Sequence, residues 1–158
     1  MKKVVKIIFY TTLVFFILIQ FIRLNKNEEG YKTLLAFETE TKVTEQVKEI
    51  LKANCYDCHS NQTVYPWYAE IAPVSFWMAD HVNEGKYELN FSEWSSFSTK
   101  RKDHKLEELV EEVEEGEMPL DSYTWIHGKL SEKDQKNLLD WANLARLPYQ
   151  LELEKLRK

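Results

Sequence analysis

The chain has few cysteines and no pattern that indicates a β-sheet. Its 158 residues include only two cysteines, and the sequence has no regular alternation of apolar and polar residues and no internal repeat. A thioredoxin-like dithiol needs a βαβ pattern nearby, which is missing. A zinc finger needs a second Cys-x-x-Cys or a His-x-x-x-His pair, which is also missing. We therefore expect one all-α domain of ordinary globular composition.

The two cysteines lie in one short motif, Cys55-Tyr56-Asp57-Cys58-His59. Cys-x-x-Cys-His is typical of covalent haem attachment, because each thiol can form a thioether bond with a vinyl group of the same porphyrin. The imidazole of His59 then binds iron from the proximal side. We predict one covalently bound haem c held by Cys55 and Cys58. A redox-active dithiol and half of a zinc site are the alternatives.

A haem used for electron transfer normally has a second axial ligand, and Met118 is the first choice. It lies between Gly116 and Pro119, in a loop stiff enough to hold a thioether near the iron. The alternatives are His81, on the apolar face of a predicted helix, and His127; either can instead pack in the core or contact a haem propionate. Two further candidates are less suitable. Met78 is interpreted as a core residue and His104 as a surface residue.

The first 24 residues have the pattern of a membrane anchor. Lys2, Lys3 and Lys6 precede an apolar stretch over residues 7–22, and no Ala-x-Ala-like cleavage site follows it. We predict an uncleaved N-terminal transmembrane helix over residues 1–24, with its lysines in the cytoplasm. The chain is then a single-pass protein of the bacterial inner membrane with its C-terminal domain in the periplasm, where haem c is attached. A cleaved signal peptide is the alternative.

The rest of the chain is acidic. Residues 25–158 carry 17 basic and 26 acidic side chains. Such a surface is unsuited to nucleic acid and to anionic lipid headgroups. The negative charge either keeps the domain soluble or favours partners with a basic face. We therefore expect no nucleic-acid partner.

Apolar residues at helical spacing predict four helices after the anchor. The predicted helices cover residues 41–54, 73–85, 102–115 and 131–147. Gly85 is interpreted as a helix stop, Gly116 as a C-cap, and Ser131-x-x-Asp134 as a capping box. Pro148 is expected to end or kink the last helix. The predicted units are a tether (25–40), a haem-binding domain (41–147) and a charged C-terminal tail (148–158).

The order of these motifs is similar to that of class I cytochrome c. The chain also contains a series of aromatic and polar motifs: Tyr65-Pro66-Trp67-Tyr68, Ile71-Ala72-Pro73-Val74-Ser75, His81-Val82, Asn90-Phe91-Ser92-Glu93-Trp94, Gly116-Glu117-Met118-Pro119-Leu120 and Tyr123 to His127. Over roughly residues 41–145, this pattern resembles a family of small membrane-anchored bacterial proteins, the haem-binding domain family. The resemblance implies a cytochrome c-like fold and a monohaem c-type cytochrome in the periplasm of Gram-negative bacteria. It implies no particular substrate or partner.

From these residues we expect a one-electron carrier rather than an enzyme. The iron is expected to alternate between Fe(III) and Fe(II) with both axial ligands retained, and membrane-bound or periplasmic redox proteins are the expected partners. The alternative from another functional class is a haem-based ligand-binding or sensing module, in which the distal position of the iron is open or weakly held. A peroxidase is disfavoured because the chain has only one haem attachment motif.

Overall fold

The computed structural model describes residues 1–157, and these residues form helices joined by loops. Over this range there is no β-strand, only one isolated bridge between Glu28 and Gln62. The predicted all-α architecture is therefore confirmed. The helices are α1 (Lys2–Ile19), α2 (Leu35–Glu40), α3 (Glu45–Asn54), α4 (Tyr56–His59), α5 (Val74–Glu88), α6 (Thr99–Glu115), α7 (Asp121–His127) and α8 (Glu132–Leu156). Three short 3₁₀ helices cover Tyr31–Leu34, Trp67–Glu70 and Phe91–Ser96.

Helix α1 corrects the prediction of a transmembrane segment at the N-terminus. It has 18 residues and includes Lys2, Lys3 and Lys6 near its start. At about 1.5 Å per residue such a helix is about 27 Å long, and its charged end shortens the apolar part further. Among residues 1–157, no helix is long and apolar enough to cross a bilayer. The predicted transmembrane helix is therefore wrong, and so is the predicted single-pass location in the bacterial inner membrane with a periplasmic domain.

The chain after α1 lies against the loop that precedes α5. The side-chain amide of Gln20 donates to the carbonyl of Ala72 and accepts from the N–H of the same residue, both at 3.0 Å. Lys26 forms an ion pair with Glu70 in this loop, and both side chains are about half exposed. Exposed ion pairs contribute little to stability. The paired hydrogen bonds of Gln20 are therefore the more specific contact.

Residues 25–40, predicted as a tether, contribute to the core. Leu34 and Phe37 have no exposed surface. The ring of Phe37 packs against Phe91 with 4.4 Å between centroids, and edge-on against Trp94 at 5.1 Å. Such pairs combine a large buried apolar area with favourable ring electrostatics. The folded unit therefore begins before residue 41.

Helices α6 and α8 pack as an antiparallel pair. Gln135, near the start of α8, donates to the carbonyl of Val113 near the end of α6, at 2.8 Å. At the other end of the pair, Arg146 donates to Asp103 at 2.9 Å and to Glu107 at 2.6 Å. Only 13% of the Arg146 side chain is exposed, so this ion pair is screened less by salt than one on the open surface.

Helix α8 continues past Pro148, where the sequence predicts an end or a kink. It extends to Leu156, and the residue after the proline, Tyr149, is buried. The Tyr149 hydroxyl donates to Glu40 at 2.8 Å, and the indole N–H of Trp94 donates to the Tyr149 hydroxyl at 3.3 Å. The region predicted as a charged tail therefore contributes Tyr149 to the core.

Phe37→Ala tests whether residues 25–40 belong to the folded unit. Removal of this buried ring is expected to lower the free energy of unfolding by about 3–5 kcal/mol, measured by urea denaturation. Leu35→Ala is the matched control, because Leu35 lies on the same helix and 66% of its surface is exposed. Equal stability of the two variants would show that α2 is a detachable tether.

Candidate functional site

Helix α4 carries the Cys-x-x-Cys-His motif and is fixed by one buried side chain. Tyr56 is 1% exposed, its ring contacts Phe91 edge-on at 5.7 Å, and its hydroxyl donates to Glu38 at 3.2 Å. The N–H of His59 donates to the carbonyl of Cys55 at 2.9 Å, which closes the turn. Tyr56 thereby fixes α4 against the core. Cys58 lines the space beside α5, whereas Cys55, just before α4, packs partly buried against the core cluster.

The two cysteines are neutral thiols. Neither forms a disulfide, and both are half-buried. Burial raises the pKa of Cys55 to about 12 and the pKa of Cys58 to about 11; the neighbouring Asp57 adds to the shift of Cys58. Redox-active dithiols depend on a lowered thiol pKa. The surroundings of this pair therefore do not favour the dithiol alternative.

His59 is held by a backbone carbonyl. Its Nδ1 lies 3.0 Å from the carbonyl oxygen of Leu89, and its ring contacts Phe91 edge-on. Burial lowers the pKa of His59, and hydrogen bonds to the backbone of Leu89 and Gly85 oppose this shift only in part. A neutral imidazole that donates through Nδ1 keeps the lone pair of Nε2 for a metal. This is the form that iron ligation requires.

A group of side-chain amides and a hydroxyl holds the loop that supplies the Leu89 carbonyl. The side-chain N–H of Asn90 donates to Asn61 at 2.8 Å, and the N–H of Asn61 donates to Ser92 at 2.9 Å. The buried Asn90 also accepts from the N–H of Ser92 at 3.0 Å. The chain after α5 is thereby joined to the chain after α4. These contacts explain the Asn90-Phe91-Ser92 motif, for whose polar residues the sequence alone predicts no role.

Asn27 is a second residue near the site without a role in the sequence analysis. Its side-chain N–H groups donate to the carbonyl of Ser60 at 2.7 Å and to the hydroxyl of Thr63 at 2.9 Å, and its carbonyl oxygen accepts from Lys86 at 2.7 Å. It therefore links the chain before α2, the loop after His59 and helix α5. No sequence signal identifies it, because its partners are about 30 to 60 residues away.

Gly85 allows α5 to contact α4 backbone to backbone. It lies inside α5 rather than at its end, contrary to its interpretation as a helix stop. A Cβ atom at this position would lie 2.8 Å from the carbonyl oxygen of Cys58 and 3.0 Å from its Cβ. Only glycine therefore fits this position without movement of one of the two helices.

A largely apolar cavity lies beside Cys58, between α5 and α7. Its volume is about 70 Å³ and it opens to solvent. Cys58 and Asp57 line it, whereas Cys55 and His59 do not. The other walls are mainly apolar and aromatic: Val64, Tyr68, Trp77, Met78, Val82, Leu120, Tyr123 and Ile126. His81 and His127 also line it, as does Met78, so both histidine alternatives to Met118 share this cavity.

Met118, the third candidate, is placed differently. It packs, partly buried, against the hydrophobic core and does not line the cavity. Its N–H donates to the carbonyl of Glu112 at 3.1 Å, just past the end of α6. Gly116 ends that helix as expected, in a left-handed conformation with φ of 80°. His104 is exposed and pairs with Glu108 at 3.1 Å, in agreement with its interpretation as a surface residue.

Helix α7 is joined to the motif through Tyr123. Its hydroxyl donates to the carbonyl of Ala53 at 2.8 Å and lies 3.4 Å from a carboxylate oxygen of Asp57. The ring of His127 stacks on Tyr123 with 4.1 Å between centroids. Burial raises the pKa of Asp57, against the effect of the Val64 N–H, His127 and Tyr123. Helix α7, which forms one wall of the cavity, is therefore fixed to the same turn that carries the cysteines.

The structure offers no support for the zinc alternative. In the part of the chain that it describes, no group of three or more His, Cys, Asp or Glu side chains is placed to hold a metal ion. By contrast, the motif suits a haem, and the open cavity, whose 70 Å³ would hold about two water molecules, is a surface against which one edge of a flat cofactor would lie. Two thiols and an anchored neutral imidazole lie on α4, and apolar side chains at the cavity mouth, including Val64, Trp77 and Ile126, are left 48–62% exposed.

Comparison with known proteins agrees with this interpretation. A family model described as a haem-binding domain matches residues 14–144. No curated protein and no solved structure matches the chain.

Gly85→Ala is expected to destabilise the domain despite the higher helix propensity of alanine. The new methyl group meets backbone atoms of Cys58 that cannot rotate away, so we expect a loss of about 1–3 kcal/mol in urea denaturation. Asn83→Ala is the control, since Asn83 is exposed on the same helix. If Gly85→Ala is as stable as Asn83→Ala, α5 does not contact α4 in this way.

The thiols of haem-free protein are expected to react slowly with iodoacetamide. Only the thiolate reacts, and a pKa of about 11 for Cys58 leaves far less thiolate at pH 7.5 than an ordinary value of about 8.5. Alkylation, followed by mass spectrometry, should be roughly a hundredfold slower than in urea and should accelerate as the pH rises towards 11. Equal rates with and without urea would contradict the burial of the motif.

Proposed function

The chain belongs to the haem-binding domain family, and from this premise we propose that it is a c-type cytochrome with one covalently attached haem. Cys55 and Cys58 supply the thioether bonds, and His59 is the proximal ligand of the iron. We propose that it transfers single electrons and is not an enzyme. The second axial ligand is one of Met118, His81 and His127.

The surroundings of His59 give this proposal its main support. The Leu89 carbonyl fixes Nδ1 of the imidazole, and burial keeps the ring neutral. Metal-binding histidines commonly donate their other ring N–H to a carbonyl, which sets the tautomer and the ring orientation. A buried histidine needs a hydrogen-bond partner in any role, so it is the combination of this partner with the Cys-x-x-Cys-His spacing that supports iron ligation.

The apolar cavity beside Cys58 provides a second, independent support. A porphyrin attached through Cys58 lies next to Trp77, Ile126 and Val64, whose side chains are otherwise exposed. Burial of apolar surface contributes about 25 cal/mol per Å², so covering these side chains favours the bound cofactor. The same side chains would shield the edge of a bound cofactor from water.

When bound, haem supplies the one-electron redox chemistry, and the protein supplies fixed ligands and a dry surrounding. Tyr56 holds α4 in the core, while Asn90 and Asn61 hold the loop that carries the Leu89 carbonyl. A proximal ligand held in this way would move little when the charge of the iron changes. Small rearrangement is what fast electron transfer requires, so this rigidity is suited to an electron carrier.

The charge of the chain points to the kind of redox partner. Residues 25–158 carry nine more acidic than basic side chains, and haem propionates add further negative charge. Encounter with a partner that has a basic face is accelerated by this field, and salt weakens the effect. We propose such a redox protein as the partner, without nucleic acid in the interaction.

Covalent attachment is tested with full-length protein from a host that attaches haem c. Wild-type protein should keep its haem on a denaturing gel and give a pyridine haemochrome spectrum typical of two thioether bonds. Cys55→Ala and Cys58→Ala should each shift that spectrum to one thioether, and the double variant should lose covalent haem. His104→Ala, an exposed histidine outside the site, is the control.

Haem that is extracted from wild-type protein by acidified solvent would show non-covalent binding and would contradict the proposed c-type cytochrome. Carbon monoxide then distinguishes the carrier from a ligand-binding module. Reduced protein with two firm axial ligands should not bind it, and its spectrum should stay unchanged. Rapid binding at low concentration would identify an open distal position, as in a haem-based sensor.

A further inference from the structure

We propose that His81 on α5 is the second axial ligand of the haem iron, and that Met118 packs at the end of α6 without binding it. This inference deepens the proposed function and rests on it, because it presupposes a haem attached through α4. It changes the expected coordination from imidazole and thioether to two imidazoles. Two imidazoles give a lower reduction potential than imidazole with thioether.

His81 shares the cavity with Cys58, and Met118 does not. Both His81 and Cys58 line the space between α5 and α7. Met118 packs against the buried core cluster, and its N–H is used by the carbonyl of Glu112. A cofactor attached through Cys58 and lying against this cavity would therefore be next to His81, and not next to Met118.

The contact between α5 and α4 places His81 close to the attachment site. Gly85 touches the backbone of Cys58, and His81 lies four residues earlier on the same helix. Residues four apart lie on one face of a helix and are separated by about one turn, or about 5.4 Å along the axis. His81 is half-buried there, next to the buried Val82. Its imidazole is thus held on a rigid element, one turn away from a thioether position.

The ring of His81 is oriented in the same manner as that of His59. Its Nδ1 lies 2.9 Å from the carbonyl oxygen of Trp77, one turn earlier in α5, and its ring packs on the Trp77 side chain at 4.4 Å. Donation from Nδ1 to this carbonyl leaves the lone pair on Nε2. The two histidines therefore share one arrangement, in which a backbone carbonyl fixes Nδ1 and Nε2 is left as the donor for iron.

His127 is less suited to this role, although it lines the same cavity. Its ring is stacked on Tyr123 at an interplanar angle of 13°, and the residue is exposed on the last turn of α7. A histidine at the exposed end of this seven-residue helix is held less firmly than one inside the fifteen residues of α5. A position at the open side of the cavity suits contact with a haem propionate instead.

The test uses haem-loaded full-length protein and the variants His81→Ala, Met118→Ala and His127→Ala. His81→Ala should convert the low-spin absorption spectrum of the oxidised protein to a high-spin one, and added imidazole should restore the low-spin form. Met118→Ala and His127→Ala should stay low-spin. His81→Met should raise the reduction potential, because a thioether ligand favours Fe(II).

Wild-type protein gives an answer even if a variant fails to fold. Its near-infrared magnetic circular dichroism should show two imidazole ligands, and a spectrum of imidazole with thioether would overturn the proposal. The proposal would also be overturned if His81→Ala stayed low-spin while Met118→Ala or His127→Ala became high-spin. Loss of haem from all proteins on a denaturing gel is a different result, which would contradict the covalent attachment itself.

Discussion

The burial of Tyr56 is the constraint on which the arrangement of the site depends. This residue lies between the two cysteines in sequence, and its side chain is enclosed by the core with its hydroxyl on Glu38. A turn of helix with one side fixed in this way cannot rotate. The neighbouring thiols and the imidazole therefore have fixed directions, and α5 can approach until Gly85 touches Cys58. Packing of the core and geometry of the candidate haem site are thus set by the same side chain.

Short-range patterns in the sequence predicted much of the fold. Helix α6 ends at Gly116, and the Ser131 hydroxyl accepts from the N–H of Asp134 as the capping box requires, whereas the helix predicted over 41–54 begins later, at Glu45. Each of these features depends on residues within four positions of one another. The Cys-x-x-Cys-His motif is equally local, which is why it indicated haem before the family match over residues 14–144.

The contacts that complete the site are long-range and could not be predicted from a single sequence. Asn27 joins Ser60 and Lys86, and Asn90 joins Asn61, without any regular spacing. Residues 25–40 looked like a tether because few of them are apolar, yet Leu34 and Phe37 are fully buried in the core. The N-terminal prediction failed for a related reason. It counted apolar residues to position 22, whereas the helix includes its lysines and ends at Ile19.

The close contact of Gly85 with Cys58 has a consequence for the order of assembly. Thioether formation requires each thiol to reach a vinyl group, whereas in the folded chain both cysteines are half-buried and α5 lies directly against the second one. On the proposed attachment through Cys58, haem joined before α5 docks would meet no such obstacle, because the chain is then still open. The cofactor would then form part of the surface on which the second half of the domain folds.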